Sequence, residues 1–213
     1  APAMVHHVPR FLSARRHAGE TKVALLVFDG LAIDQWAVMR ECLVKRAPKL
    51  VFDEGATFAW LPTLTSVSRQ ALFSGLQPRE FADSIDNTSA EPKLWRQFWQ
   101  DPDQGLTAPQ VAYAKSLKRK QDLAGLDAIV GNPSVRALGL VVDMVDEIVH
   151  GALQGKRSVA RQIEDWCDTG FVDGLFTMLL DQGFHVYLTA DHGNVEAVGV
   201  GSLAEGAAAD LRG

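Results

Sequence analysis

Cysteine is scarce: the 213 residues hold two, Cys42 and Cys167, far apart in the chain and in no metal-ligand spacing. That excludes a disulfide scaffold and a cysteine zinc cluster, and it fits a reducing, cytoplasmic setting. Long apolar runs are missing as well. The longest, Val23 to Phe28 and Ala137 to Val142, have the length of buried strands and fall far short of the roughly 18 residues a membrane helix needs. An excess of positive charge is also absent, because Lys and Arg number 21 against 26 Asp and Glu, for a net charge of −5. A protein whose whole surface grips nucleic acid is thereby excluded, and DNA contact has no support in the composition. The first residues through Arg16 carry His, Arg and Pro where a signal peptide would carry an apolar run. No Met opens the chain, and the Gly- and Ala-rich stretch from Gly199 to Gly213 has no evident final element, which reads as one domain over 1–213 taken from a longer chain.

What is present is an ordinary folded composition, 47% hydrophobic and 22% charged, enough for a sizeable core. Lys22 to Phe28 is apolar on both faces and closes on Asp29-Gly30, the pattern of a central parallel strand. Asp34 to Lys45 follows with Trp36, Met39, Cys42 and Leu43 at helical spacing. Further strands are expected at Ala56–Leu61, Val111–Ala114, Leu126–Val130, Leu138–Val142 and His185–Thr189. Helices are expected over Ser66–Phe73, Leu94–Trp99 and Val159–Gln182, the last with breaks near Gly170 and Gly174, while Phe81–Pro92 reads as loop. The basic run Lys115 to Lys120 reads as a solvated turn. Strands alternating with helices imply an α/β domain whose mostly parallel central sheet is flanked by helices.

Four places carry chemistry, three of them just beyond an expected strand, where open α/β sheets bind ligands. Asp29 precedes Gly30. Pro62-Thr-Leu-Thr65-Ser66-Val-Ser-Arg69 joins a strand to a helix, so a hydroxyl of Thr65 or Ser66 sits at a helix N-terminus, where free N–H groups receive anions. Arg69, one turn on, has the fork to hold phosphate oxygens. Asp146 and His150 lie four apart, on one helix face, and such a pair can share a metal ion. Asp191-His192-Gly193 leaves the last strand with an oxygen and nitrogen ligand set that zinc accepts. Together these supply what a two-metal phosphoryl-transfer site requires, with metals about 3.5–4 Å apart.

In chain order, Asp29-Gly30, Pro62-x-x-Thr65 with its following Phe-Ser-Gly75, Asp146-x-x-x-His150 and Asp191-His192-Gly193 resemble the motifs of the alkaline phosphatase superfamily. More narrowly, Asp29 to Trp36, Pro62 to Gly75, Trp95 to Trp99 and Thr189-Ala-Asp-His-Gly resemble PglZ domains, the phosphatase component of BREX phage-defence systems. The resemblance implies an alkaline-phosphatase-like sandwich that hydrolyses phosphate monoesters or diesters. It implies two zinc ions, with manganese the alternative: Asp29, Asp191, His192 and Thr65 on one, Asp146 and His150 on the other. Thr65 would be the nucleophile, passing through a phosphothreonine, with Ser66 its neighbouring alternative and Arg69 a substrate ligand. Other BREX proteins would be its partners. The superfamily usually adds a later His to the second metal, and none follows His192. His185 is expected on a strand near the site, and His6, His7 and His17 at the surface or in packing. The missing ligand motivates an alternative, a weakly catalytic or non-catalytic zinc-binding module that assembles defence partners. Thr189 to Glu196 is also similar to the closing motif of cofactor-independent phosphoglycerate mutases, but the Pro62–Gly75 segment follows the phosphatase pattern and the chain is too short for a second, substrate-binding domain.

Overall fold

In the computed structural model, which describes residues 2–151 and 156–195, four strands form one parallel sheet: β1 (Val23–Phe28), β2 (Val111–Leu117), β3 (Ala137–Val142) and β4 (His185–Ala190). The strand order is β2-β3-β1-β4. β1 is therefore interior, as its unbroken apolar run requires, and all six of its residues are buried. Alternation along it divides the core in two. Val23, Leu25 and Val27 face a layer that includes α1 (Val8–His17), α3 (Thr65–Ser74) and α4 (Glu91–Gln100). Ala24, Leu26 and Phe28 face α2 (Ile33–Arg46), α5 (Lys120–Val130), α6 (Met144–Gly151), α7 (Lys156–Asp168) and α8 (Phe171–Asp181). Helices thus cover both faces of the sheet, the α/β sandwich expected from the sequence.

The first layer is aromatic. Trp95 and Trp99, one turn apart on α4, are fully buried edge to face at 5.4 Å, and Phe73 of α3 stands edge-on to Trp95 at 5.5 Å. The Trp95 indole N–H donates to the Ala112 carbonyl, which ties α4 to β2. These aromatics are core. Gly139 of β3 makes the packing possible, since a Cβ there would meet Phe73 at 3.0 Å and Trp95 at 3.2 Å.

Two expected strands are absent. Ala56–Leu61 makes only an isolated bridge, Phe58 with Met4, and Phe58 and Leu61 stay exposed. Leu126–Val130 is the second half of α5: Leu123, Leu126 and Val130 share a helical face against the core, and Asp122 starts the helix by accepting the Lys118 and Arg119 N–H groups. The apolar run was short enough for either period, and the acidic cap decides it. The expected helix over Val159–Gln182 is two helices, split at Gly170, whose φ of +78° suits glycine. Gly174 does not break α8; it admits Leu123, whose Cδ1 would lie 3.0 Å from a Cβ there. Phe81–Pro92 holds a short 3-10 turn at Ala82–Ser84 and the start of α4. The Lys115–Lys120 run spans the end of β2 and the start of α5, and Lys118 pairs with Glu147 at 2.8 Å. Distant in sequence, Cys42 and Cys167 meet side chain to side chain between α2 and α7. No described helix is long and apolar enough to cross a membrane.

Candidate active site

Register places the chemistry. Phe28 pairs with Val142 on one side and with Ala190 on the other, so the next residue of each strand, Asp29, Asp143 and Asp191, falls on one row beyond the carboxyl edge of the sheet. Gly30 then turns the chain with φ +68°. A Cβ there would make ordinary contacts, 3.5 Å from Asp146 Oδ1 and 3.8 Å from the His192 ring, so it is the turn and not crowding that asks for glycine. The turn is pinned from β4, since the Gly30 N–H donates to Asp191 Oδ1 at 3.0 Å and its carbonyl accepts from Asn194 at 2.6 Å. Gln35 exchanges amide hydrogen bonds with Asn194 at 2.9 Å.

Thr65 is the first residue of α3. The residue before it, Leu64, has no side chain able to cap the helix, so the opening N–H groups and the positive dipole end are left for an outside acceptor. Thr65 Oγ1 lies 2.9 Å from His192 Nε2 and 3.4 Å from Asp29 Oδ1. His192 Nδ1 is 2.9 Å from the Gly193 carbonyl, which only accepts, so Nδ1 carries a proton and Nε2 is the nitrogen turned to the cluster. Nε2 is 3.5 Å from Asp191 Oδ2 and 3.8 Å from Asp29 Oδ1. Ligand atoms of Asp29, Asp191 and His192 all fall within 4.8 Å of one another.

The electrostatics of this cluster call for a cation. Asp191 is completely buried; Oδ1 accepts two backbone N–H bonds, from Gly30 and His192, while Oδ2 has no hydrogen-bond partner. Burial first, and the Asp29 carboxylate second, hold its pKa well above the usual carboxylate range. An orphaned carboxylate oxygen, a second carboxylate and an imidazole nitrogen turned to one point are a donor set that suits zinc.

Behind Asp29 stands Arg69, also buried. Its Nη1 donates to Asp29 Oδ2 at 3.0 Å and lies 3.5 Å from Asp143 Oδ1, while Nη2 donates to Glu91 Oε2 at 2.7 Å. Burial works against the guanidinium charge, but Glu91 and Asp29 more than offset it, and its pKa lies above the ordinary value. Burial likewise raises Asp143, with Arg69 opposing and Asp29 adding to the shift. Tyr113 of β2 donates a short hydrogen bond to Glu91, and burial and that carboxylate raise the phenol.

The expected residues do not all converge. Asp29, Thr65, Asp191 and His192 form one cluster, and Asp146 lies at its edge against Gly30. His150 pairs with Asp146 at 3.3 Å on α6, but its side chain is 79% exposed, and no third ligand joins the two among the described residues. Ser66 follows Thr65 in the first turn of α3, and the Arg69 guanidinium is taken up by carboxylates. His185 is a correction: it opens β4 at the amino edge, the far end from the site, 3.7 Å from Glu20. Asp143, Glu91 and Tyr113 were not singled out from the sequence. Asp143 carries the same signal as Asp29 and Asp191, an aspartate directly after a buried strand, whereas Glu91 and Tyr113 carry none.

This geometry agrees with a comparison across protein families. The family model for the BREX system PglZ alkaline phosphatase-like domain matches residues 10–213. The chain belongs to the PglZ family. No curated protein sequence matches it. The PglZ match spans every element that builds the site, from β1 to the Asp191-His192 turn, and it agrees with the parallel sheet covered on both faces. Glu196, the last residue of the mutase-like motif, lies outside the described residues.

Proposed function

We propose that this PglZ domain is a metal-dependent hydrolase of phosphate monoesters or diesters in a BREX defence system, with Thr65 as its nucleophile. One observation carries the reading: the Thr65 hydroxyl stands at the uncapped start of α3 within 3.4 Å of both Asp29 Oδ1 and His192 Nε2. Asp29, Asp191 and His192 would hold one zinc or manganese ion, and Asp146 with His150 would hold a second. Bound metal of this kind lowers the pKa of a nearby hydroxyl and neutralises phosphate charge. The remaining work falls to the chain. The first N–H groups of α3 and the Ser66 hydroxyl bind non-bridging phosphate oxygens, which orients phosphorus toward Thr65 Oγ1. Attack by that oxygen forms the phosphothreonine bond as the bond to the leaving alcohol breaks. Water then cleaves the phosphothreonine and regenerates the hydroxyl.

The second reading, a zinc-binding module that assembles BREX partners with little or no turnover, draws on the exposed Asp146–His150 pair, which has no third ligand among the described residues. One experiment separates the two. Thr65→Ala, compared with wild type for metal content and for p-nitrophenyl phosphate and bis(p-nitrophenyl) phosphate hydrolysis, should keep the metal and lose turnover by at least 100-fold. Unaltered hydrolysis by the variant would overturn the nucleophile assignment. Metal retained by a wild type that hydrolyses neither ester would favour the assembly module.

A further inference from the structure

Beyond the Asp29, Asp191 and His192 cluster, the site has a buried support whose members are joined by charge. Glu91 is fully buried at the first position of α4, where the helix dipole favours a carboxylate, and the buried Trp95 and Trp99 hold that helix rigidly. Glu91 Oε2 accepts from Arg69 Nη2 at 2.7 Å and from the Tyr113 hydroxyl, while Oε1 has no hydrogen-bond partner. A buried carboxylate with an orphaned oxygen is costly to the fold, so its position calls for a role other than stability. Arg69, 4% exposed, spans from Glu91 to Asp29 and cannot turn to a substrate phosphate without abandoning both carboxylates.

The consequence falls on Asp29, whose two oxygens are made unequal. Oδ2 accepts from Arg69, whereas Oδ1 faces Thr65 Oγ1 and His192 Nε2. We propose that Glu91, acting through Arg69, is the positioning residue that presents Asp29 Oδ1 to the metal and withholds Oδ2. The proposal rests on the metal-site reading above. Two effects join in it. Glu91 and the rigid fork of Arg69 fix the rotation of the Asp29 carboxylate. The Glu91 charge also offsets that of Arg69, so that no uncompensated cation stands beside a site meant for a divalent one.

The test measures zinc dissociation constants by competition with a chromophoric chelator, in phosphate-free buffer, alongside thermal unfolding of the metal-free proteins. Glu91→Gln keeps the shape and removes the charge, and should weaken zinc at least tenfold. Tyr113→Phe keeps both the carboxylate and its bond to Arg69, and should change zinc affinity less than threefold. Arg69→Lys keeps the charge, but one ammonium cannot bridge two carboxylates, so it should weaken zinc at least fivefold even if Glu91→Gln fails to fold. A packing role alone would lower the unfolding midpoint of Glu91→Gln and leave zinc affinity within twofold of wild type, which would overturn the proposal. So would an Arg69→Lys variant that binds zinc normally but loses inhibition by inorganic phosphate, the signature of a substrate contact. Wild-type protein that retains no zinc would refute the metal-site reading itself, and the proposal with it.

Discussion

Replacing Asp191 by Asn should stabilise the metal-free protein while abolishing its metal retention. The side chain is completely buried, and its two oxygens are treated differently: Oδ1 accepts at 3.0 and 2.9 Å from the Gly30 and His192 N–H groups, and Oδ2 accepts from nothing. Asparagine keeps the first pair of bonds through its carbonyl oxygen. Its amide nitrogen takes the place of Oδ2, where the neighbouring Asp29 carboxylate becomes its acceptor. One substitution therefore satisfies an orphaned position and removes one of two crowded negative charges. An unsatisfied buried polar atom costs about 1–3 kcal/mol. Recovering about half to two-thirds of that gives a gain of about 0.5–2 kcal/mol. For a domain of this size the gain corresponds to a rise in Tm of about 1–8 °C. The assay is calorimetry after chelator treatment, repeated with added zinc. Zinc at 100 times its dissociation constant should add about 2.7 kcal/mol to wild type by mass action, whereas the variant should gain little, so the order of stability reverses. A metal-free variant less stable than wild type by 1 kcal/mol or more would refute the reasoning, because it would make the Asp191 charge a structural asset instead of a cost borne for a ligand.

Gly139→Ala should destabilise the fold by about 1–3 kcal/mol, read as a lower urea midpoint, because its Cβ would meet the Phe73 and Trp95 rings at 3.0 and 3.2 Å in a fully packed layer. An unchanged midpoint would show that the aromatic layer can yield. Burial and the adjoining Cys42 push the Cys167 thiol up to about 12. The folded thiol then keeps a proton that the unfolded chain loses, so stability should be fully present below about pH 9 and fall as pH rises toward 12. Cys167→Ala should flatten that part of the pH profile, as chemical denaturation across pH 8–11 would show. In a thiol-reagent titration at pH 8, half-buried Cys42 should react first and Cys167 only on unfolding.

The carboxyl edge of the sheet was legible in the sequence because its signal is local: an apolar run of strand length followed at once by aspartate, as at Phe28-Asp29 and Ala190-Asp191. Val142-Asp143 carries the same signal, but the nearby Asp146 and His150 present a more recognisable metal pair. Leu126–Val130 was ambiguous because five residues are too few to separate a period of 2 from one of 3.6, and the deciding cap, Asp122, lies four residues upstream. Glu91 could not be read at all. In sequence it is a charged residue beside a proline in an expected loop; only the fold brings it under Arg69 and Tyr113, 22 residues away on either side.

The row of aspartates beyond the sheet edge has a temporal meaning as well. The ribosome makes Asp29 first and Asp191 last, about 160 residues later, roughly 10–30 s at bacterial rates. β1, the most apolar strand, gains its first neighbour, β3, only about 110 residues after it is made, and its second, β4, only at the end of that interval; both are synthesised after α1, α3 and α4, which cover it on one side. The nascent chain must therefore shield β1 with α1 to α4 or a chaperone before its sheet exists. Because the Asp29, Asp191 and His192 cluster closes only when β4 docks on β1, an intact cluster reports that the last-made strand has joined the sheet.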